Sequence, residues 1–200
     1  MSNKLTVFIL IIFFVFPGFA FGEETAGIEV NVNSSDVEGK FEFRLPRYET
    51  NIIGGAGVLY SDDNFLISNL NISLKDQVFV RPLSIGIGFK GGFGTAEKYN
   101  IDYDMATIGF LFTGEYDFRK HEDRLKIPIS LNSTFSIAPE PLCFIDAKQY
   151  VDFSFTVYAY VLKNVSILAG YRHLDFRFEK ITGTITKTDE ALFLGCKLHF

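Results

Sequence analysis

Apolar and polar residues alternate along most of this chain, and that period of two predicts strands. Residues 127 to 137 put Ile127, Ile129, Leu131, Phe135 and Ile137 on one side, with Ser130, Asn132, Thr134 and Ser136 on the other, after Lys126. Residues 150 to 161 oppose Val151, Phe153, Phe155, Val157, Ala159 and Val161 to Tyr150, Asp152, Ser154, Thr156, Tyr158 and Tyr160. A helix cannot carry such a pattern on one face, whereas a strand between two environments must. The same alternation runs through Leu83, Ile85, Ile87 and Phe89, through Ala106, Ile108, Phe110, Phe112 and Tyr116, and through Leu70, Ile72 and Leu74. Ile28, Val30 and Val32 make a short candidate near the start, and Phe41, Phe43 and Leu45 another. The glycine-rich stretch 52 to 60 has no clear phase. From 165 to 178 the apolar row runs Val165, Ile167, Ala169, Tyr171 and then shifts to Leu174, Phe176 and Phe178. A bulge near Arg172, or a strand leaving its first environment to continue as a ribbon in water, would produce that shift; the polar His173, Asp175 and Arg177 favour the ribbon.

The connections divide into two kinds. Residues 93 to 104, 138 to 148 and 179 to 189 read as longer loops, whereas 118 to 125 and 162 to 165 read as turns. Long loops on one side and short turns on the other suit a membrane barrel. The segments predict an all-β fold: an antiparallel, up-and-down transmembrane β-barrel of about ten strands, with eight as the alternative.

Alternation alone also fits a soluble sandwich or a lipocalin-like barrel, in which the apolar row points inward. Both ends of the chain bear on that choice. Residues 1 to 22 read as a secretory signal: Lys4, the apolar run 5 to 16, the Pro17-Gly18 break, and small residues in Ala20-Phe21-Gly22. The run has 12 residues before the break, against about 20 for a spanning helix. The barrel domain is then 23 to 200, and removal of Lys4 takes the charge from −5 to −6. No cysteine follows the run, which argues against lipoprotein processing.

At the other end, Leu192, Leu194, Cys196, Leu198 and Phe200 share one face, opposite Gly195, Lys197 and His199, with Phe193 out of place. This resembles the signal read by the barrel-assembly machinery of bacterial outer membranes, in which a final Phe follows apolar residues at alternate positions. Phe200, Leu198, Leu194 and Leu192 are therefore the expected assembly signal, and that machinery and outer-membrane lipids the expected partners. The segments Arg81-Pro-Leu-Ser-Ile and Val165-Ser-Ile-Leu-Ala-Gly-Tyr-Arg-His-Leu, with the Phe-terminated strand, are similar to the YfaZ family of outer-membrane proteins. The likeness is best over 149 to 178 and the final strand. It implies a small exported barrel in a Gram-negative cell and carries no catalytic residues.

Composition changes this picture little. Phe (23), Tyr (9) and Gly (17) are abundant and Trp is absent, which suits strands with an aromatic surface and tight turns. With 22% charged residues and one long apolar run, the chain is not a helical membrane protein. A net charge of −5 without a basic patch speaks against a nucleic-acid partner. Cys143 and Cys196, one in a distal loop and one on an outward strand position, are expected to be free thiols.

Candidate chemistry is sparse. His121 lies in the charged run 119 to 124 and His199 in the last strand, neither with metal-ligand spacing, so neither a metal nor another cofactor is expected. His173 has Asp175 two residues on, and an imidazole with an orienting acid is part of a lipid-hydrolase site. No serine lies within 170 to 179, so the enzyme reading ranks third. Lys90, Glu115, Lys126, Asp152 and Arg172 occupy the polar row, where a narrow barrel would bury them and require pairing. They form either an interior network that plugs the lumen or the charged constriction of a porin-like small-solute channel. The reading that follows is a non-enzymatic outer-membrane barrel with a plugged lumen and a structural or surface-interaction role. The channel is the alternative, and the oligomeric state is left open.

Overall fold

The computed structural model describes residues 25–47, 50–62, 65–78, 82–98, 101–120, 128–180 and 183–200. The leader at 1–22, Arg81, His121 and Lys126 lie outside these residues. No α-helix occurs among them. The strands are β1 (Ala26–Val32), β2 (Asp36–Arg47), β3 (Thr50–Ser61), β4 (Phe65–Gln77), β5 (Leu83–Lys98), β6 (Ile101–Asp117), β7 (Ile129–Ala138), β8 (Cys143–Ile145), β9 (Ala147–Leu162), β10 (Val165–Lys180) and β11 (Gly183–His199). Strands β1 to β7 pair antiparallel in sequence order, β7 pairs with β9, β9 with β10 and β10 with β11, and β1 pairs with β11 from Gly27↔His199 to Val32↔Leu194, closing the barrel. Closure leaves no sheet edge where β1 and β11 meet. The seam is drawn tight by backbone bonds from Thr25 N to Phe200 O (2.8 Å) and from Phe200 N to Ala26 O (2.8 Å).

The barrel has ten staves. The seventh is interrupted: β7 pairs with β6 only from Asp117↔Ser130 to Phe110↔Ile137, and the three-residue β8 takes over the next part of β6 at Met105–Thr107. Between them runs a single 3-10 turn at Glu140–Leu142. The glycine-rich stretch without clear phase is β3. It admits glycines because neighbouring chains approach closely: a Cβ at Gly54 would lie 2.2 Å from the Phe43 ring. At Gly88 on β5, a Cβ would meet Ile72 O at 2.0 Å.

One sequence expectation is corrected. The loops expected at 93–104 and 179–189 are strand: β5 and β6 continue to Lys98 and from Ile101, and β10 and β11 to Lys180 and from Gly183. Of the two readings of the shift at Arg172, the bulge does not occur. β10 keeps unbroken register with β11 from Val165↔Leu198 to Lys180↔Gly183. With β9 its register shifts only at its two ends, between Val165 and Ser166 and between Arg177 and Phe178. Even-numbered residues of β10 face inward throughout: Ser166, Leu168, Arg172, Leu174, Phe176 and Phe178 are all buried. What changes at Arg172 is the chemistry of each face.

On the half of the barrel nearer the chain termini, the outward rows are apolar and bare. Ile72, Ile87, Phe89, Phe112, Ile167, Leu192 and Leu194 are among the exposed side chains, Leu192 at 77%. Inward rows there are mainly Glu, Lys, Asn, Ser and Thr, with Ile53, Leu111, Leu168 and Phe193 among them. On the distal half, the outward rows turn polar at Asp102 and Asp104 on β6, His173 to Glu179 on β10, and Thr184 to Glu190 on β11. The inward rows become a packed apolar core that includes Phe65, Tyr103, Met105, Tyr150, Leu174, Phe176 and Phe178. A strand that leaves an apolar medium for water must move its apolar residues inside, and a closed barrel lets it do so without changing phase.

Candidate functional site

Among the described residues buried polar chemistry is concentrated in the lumen, and the strand phase fixes its lining. Lys90 on β5 and Asp152 on β9 meet across the interior as an ion pair. The Tyr150 hydroxyl donates to the same Asp152 carboxylate at 3.1 Å. Glu115 on β6 pairs with Lys75 on β4, a residue that the sequence reading did not single out, and Arg44 lies 4.0 Å away. Arg172, 4% exposed, reaches Asp36 and, at 3.1 Å, Asp189. Lys40 joins Glu29 (3.4 Å) to Glu38 (3.0 Å), and Asn31 donates to both of these carboxylates. Of the five charges expected to form a network, Lys90 and Asp152 are brought together, Glu115 and Arg172 have other partners, and Lys126 lies outside the described residues. Burial of so many charges is tolerable only because each described one has an opposite within reach.

Above Arg172 the lumen is filled. Phe176 packs on Phe65, Tyr150 and Phe178 at ring distances of 6.3, 5.3 and 6.0 Å, and Phe178 on Tyr103 at 5.3 Å. The β10–β11 hairpin brings Phe176 and Phe178 into this layer and is fastened on the far side. Lys180 binds Asp146 at 3.0 Å and donates to Asp102 O, while Lys187 sits 5.0 Å over the Phe65 ring and donates to Glu97 O. Phe193, the misfit of the final strand, is an inward residue 3% exposed whose ring covers Gly170, where a Cβ would lie 2.4 Å from it. Below this layer, cavities of about 140 Å³ and about 120 Å³ occupy the mid-lumen and the terminal mouth. The lumen is thus a polar well, closed at its distal end.

The remaining sites sit apart. His173 is on the outer wall just past the apolar rows, with Nδ1 3.1 Å from Glu190 Oε1. Asp175 accepts instead from the Thr188 hydroxyl at 3.0 Å. His199 is inward, its Nε2 2.9 Å from Ser166 Oγ. Among the described residues no group of three or more His, Cys, Asp or Glu side chains is arranged to hold a metal ion. Both cysteines are free: Cys196 is exposed on the outer wall, and Cys143 on β8 is half-buried. Leu192, Leu194, Leu198 and Phe200 share the outward face of the closing strand.

No protein-family model and no curated protein matches the chain. It is similar to a solved structure from a study called "Unveiling the Mechanism Behind the in-meso Crystallization of Membrane Proteins". Identity is 13% over 88% of this chain and 82% of that chain, at a TM-score of 0.46. A likeness that low carries no argument about function.

Proposed function

We propose that this chain is an integral β-barrel of a bacterial outer membrane, non-enzymatic and non-conducting, with a structural or surface-interaction role. The observation that carries the reading is the exchange of faces at Arg172. Below it, a girdle of bare Ile, Leu, Val and Phe surrounds a charged interior, far more exposed apolar surface than water tolerates around a monomer. The outward row of β6 from Ala106 to Tyr116 covers ten residue steps, which at about 3.4 Å per step and a tilt of about 45° is about 24 Å, close to the apolar band of an outer-membrane barrel. Above Arg172, the outer wall is polar and suits water, and the aromatic layer obstructs the lumen.

Export follows from the leader at 1 to 22, cleaved after Gly22. The outward row Leu192, Leu194, Leu198 and Phe200 is what the barrel-assembly machinery would read. Membership of the YfaZ family is part of this proposal, on the likeness over 149 to 178 and the final strand.

Planar-bilayer recording of the purified chain tests the closed lumen. The expected trace is flat, with heat-modifiable gel migration attesting the fold. Stable single-channel steps would overturn the closed reading in favour of a small-solute channel.

A further inference from the structure

The mouth of the barrel beside Thr25 and Phe200 carries more cation than its carboxylates can hold. Among the described residues lining its cavity of about 120 Å³, five are Lys or Arg and three are Asp or Glu. Glu115 pairs closely with Lys75, and Arg44 is held to it only at 4.0 Å. Asp117 accepts from Arg119 Nε at 2.9 Å, with Lys120 only at 4.0 Å. Lys197 stands 3.7 Å from Glu42. Three cations on three different elements (β2, the 3-10 turn at Phe118–Lys120 and β11) therefore converge with loose partners. Among the described residues the local surplus is two positive charges, in a chain whose net charge is −5. Thr25 Oγ1 is buried beside the same cavity without a hydrogen-bond partner.

We propose that this vestibule binds a small, doubly charged oxyanion of the phosphate or phosphomonoester class, entering from the terminal side. The space exceeds by several-fold the roughly 10–15 Å³ that one water needs, so a group of a few heavy atoms fits. Low-dielectric barrel walls strengthen the field of the surplus cations. A tetrahedral oxyanion offers several acceptors at once, so it can take charge-assisted bonds from Arg44, Lys120 and Lys197 together. The Thr25 hydroxyl has a free donor for a fourth. The aromatic layer at the other end means that the anion is held and does not pass. This inference does not depend on the membrane reading, since the cavity lies inside the closed barrel.

Calorimetric titration of inorganic phosphate into the folded full chain in non-ionic detergent, against chloride at equal ionic strength, tests it. Saturable phosphate binding, weakened about tenfold or more in an Arg44→Gln, Lys120→Gln double variant, is expected. Lys148→Gln, at the distal end, should leave it unchanged. Heat-modifiable migration checks that each variant folds, and Lys197→Gln alone, expected to weaken binding in the same direction, serves if the double variant does not. Absence of saturable binding, equal competition by chloride, or undiminished binding in folded variants would overturn the proposal.

Discussion

One strand, β10, crosses two regions of this molecule. From Val165 to Tyr171 it presents Val, Ile, Ala and Tyr outward, while Ser166 and Arg172 face a polar interior. From His173 to Glu179 it presents His, Asp, Arg and Glu outward, while Leu174, Phe176 and Phe178 are 2%, 2% and 1% exposed. Phase and the register with β11 are the same in both. Barrel closure satisfies the backbone whichever face is apolar, so the side chains are free to follow the medium outside. The lower region keeps its apolar side chains outside and the upper region keeps them inside.

If that is right, the two regions should fail in different ways. Phe176→Ala should have the largest effect, about 4 kcal/mol, because it empties the centre of the distal core. Urea unfolding followed by circular dichroism would measure it, and Asp175→Ala on the outer wall of the same strand should stay within about 0.5 kcal/mol. Lys90→Met in the lower interior should cost about 3 kcal/mol, since it strands the Asp152 carboxylate. Tyr150 still donates to that carboxylate, and adding Asp152→Asn should recover most of the loss. Phe112→Arg, outward on β6 in the lower region, should cost about 2–3 kcal/mol when unfolding is measured from lipid vesicles. Thr184→Arg, outward on β11 in the upper region, should be near neutral. Equal costs for those two arginines would erase the distinction between the outer walls.

Much of the fold was legible in the residues, because period two survives whatever the environment. The segments around Ile129 to Ile137 and Val151 to Val161 are strands with their Ile, Phe and Val outward. The shift at Arg172 was visible, and of its two readings the unbroken register with β11 excludes the bulge and agrees with the strand that runs on with its polar residues outward. Alternation cannot separate a bulged strand from one whose two faces exchange chemistry, and the second is what occurs. The same blindness turned 93–104 and 179–189 into loops: Asp102, Asp104 and the threonines of β11 are polar because they face outward above the girdle, not because the chain is irregular there. The lumen was legible only in part. Lys90 and Asp152 announced themselves as charges in apolar-alternating strands. Lys75 for Glu115, and Asp36 for Arg172, required knowing which staves face each other across the interior. Arg44, Lys120 and Lys197 are unremarkable where they stand in the sequence, and only closure gathers them at one mouth.

The girdle is the central claim, and the chain's lack of tryptophan makes it open to a direct measurement. Single tryptophans in place of Phe112 and of Arg177 would be placed in vesicles whose lipids carry bromine on the acyl chains. Phe112→Trp should be strongly quenched and Arg177→Trp should not. Absence of quenching at position 112 in a folded barrel, or equal quenching at both positions, would contradict the account.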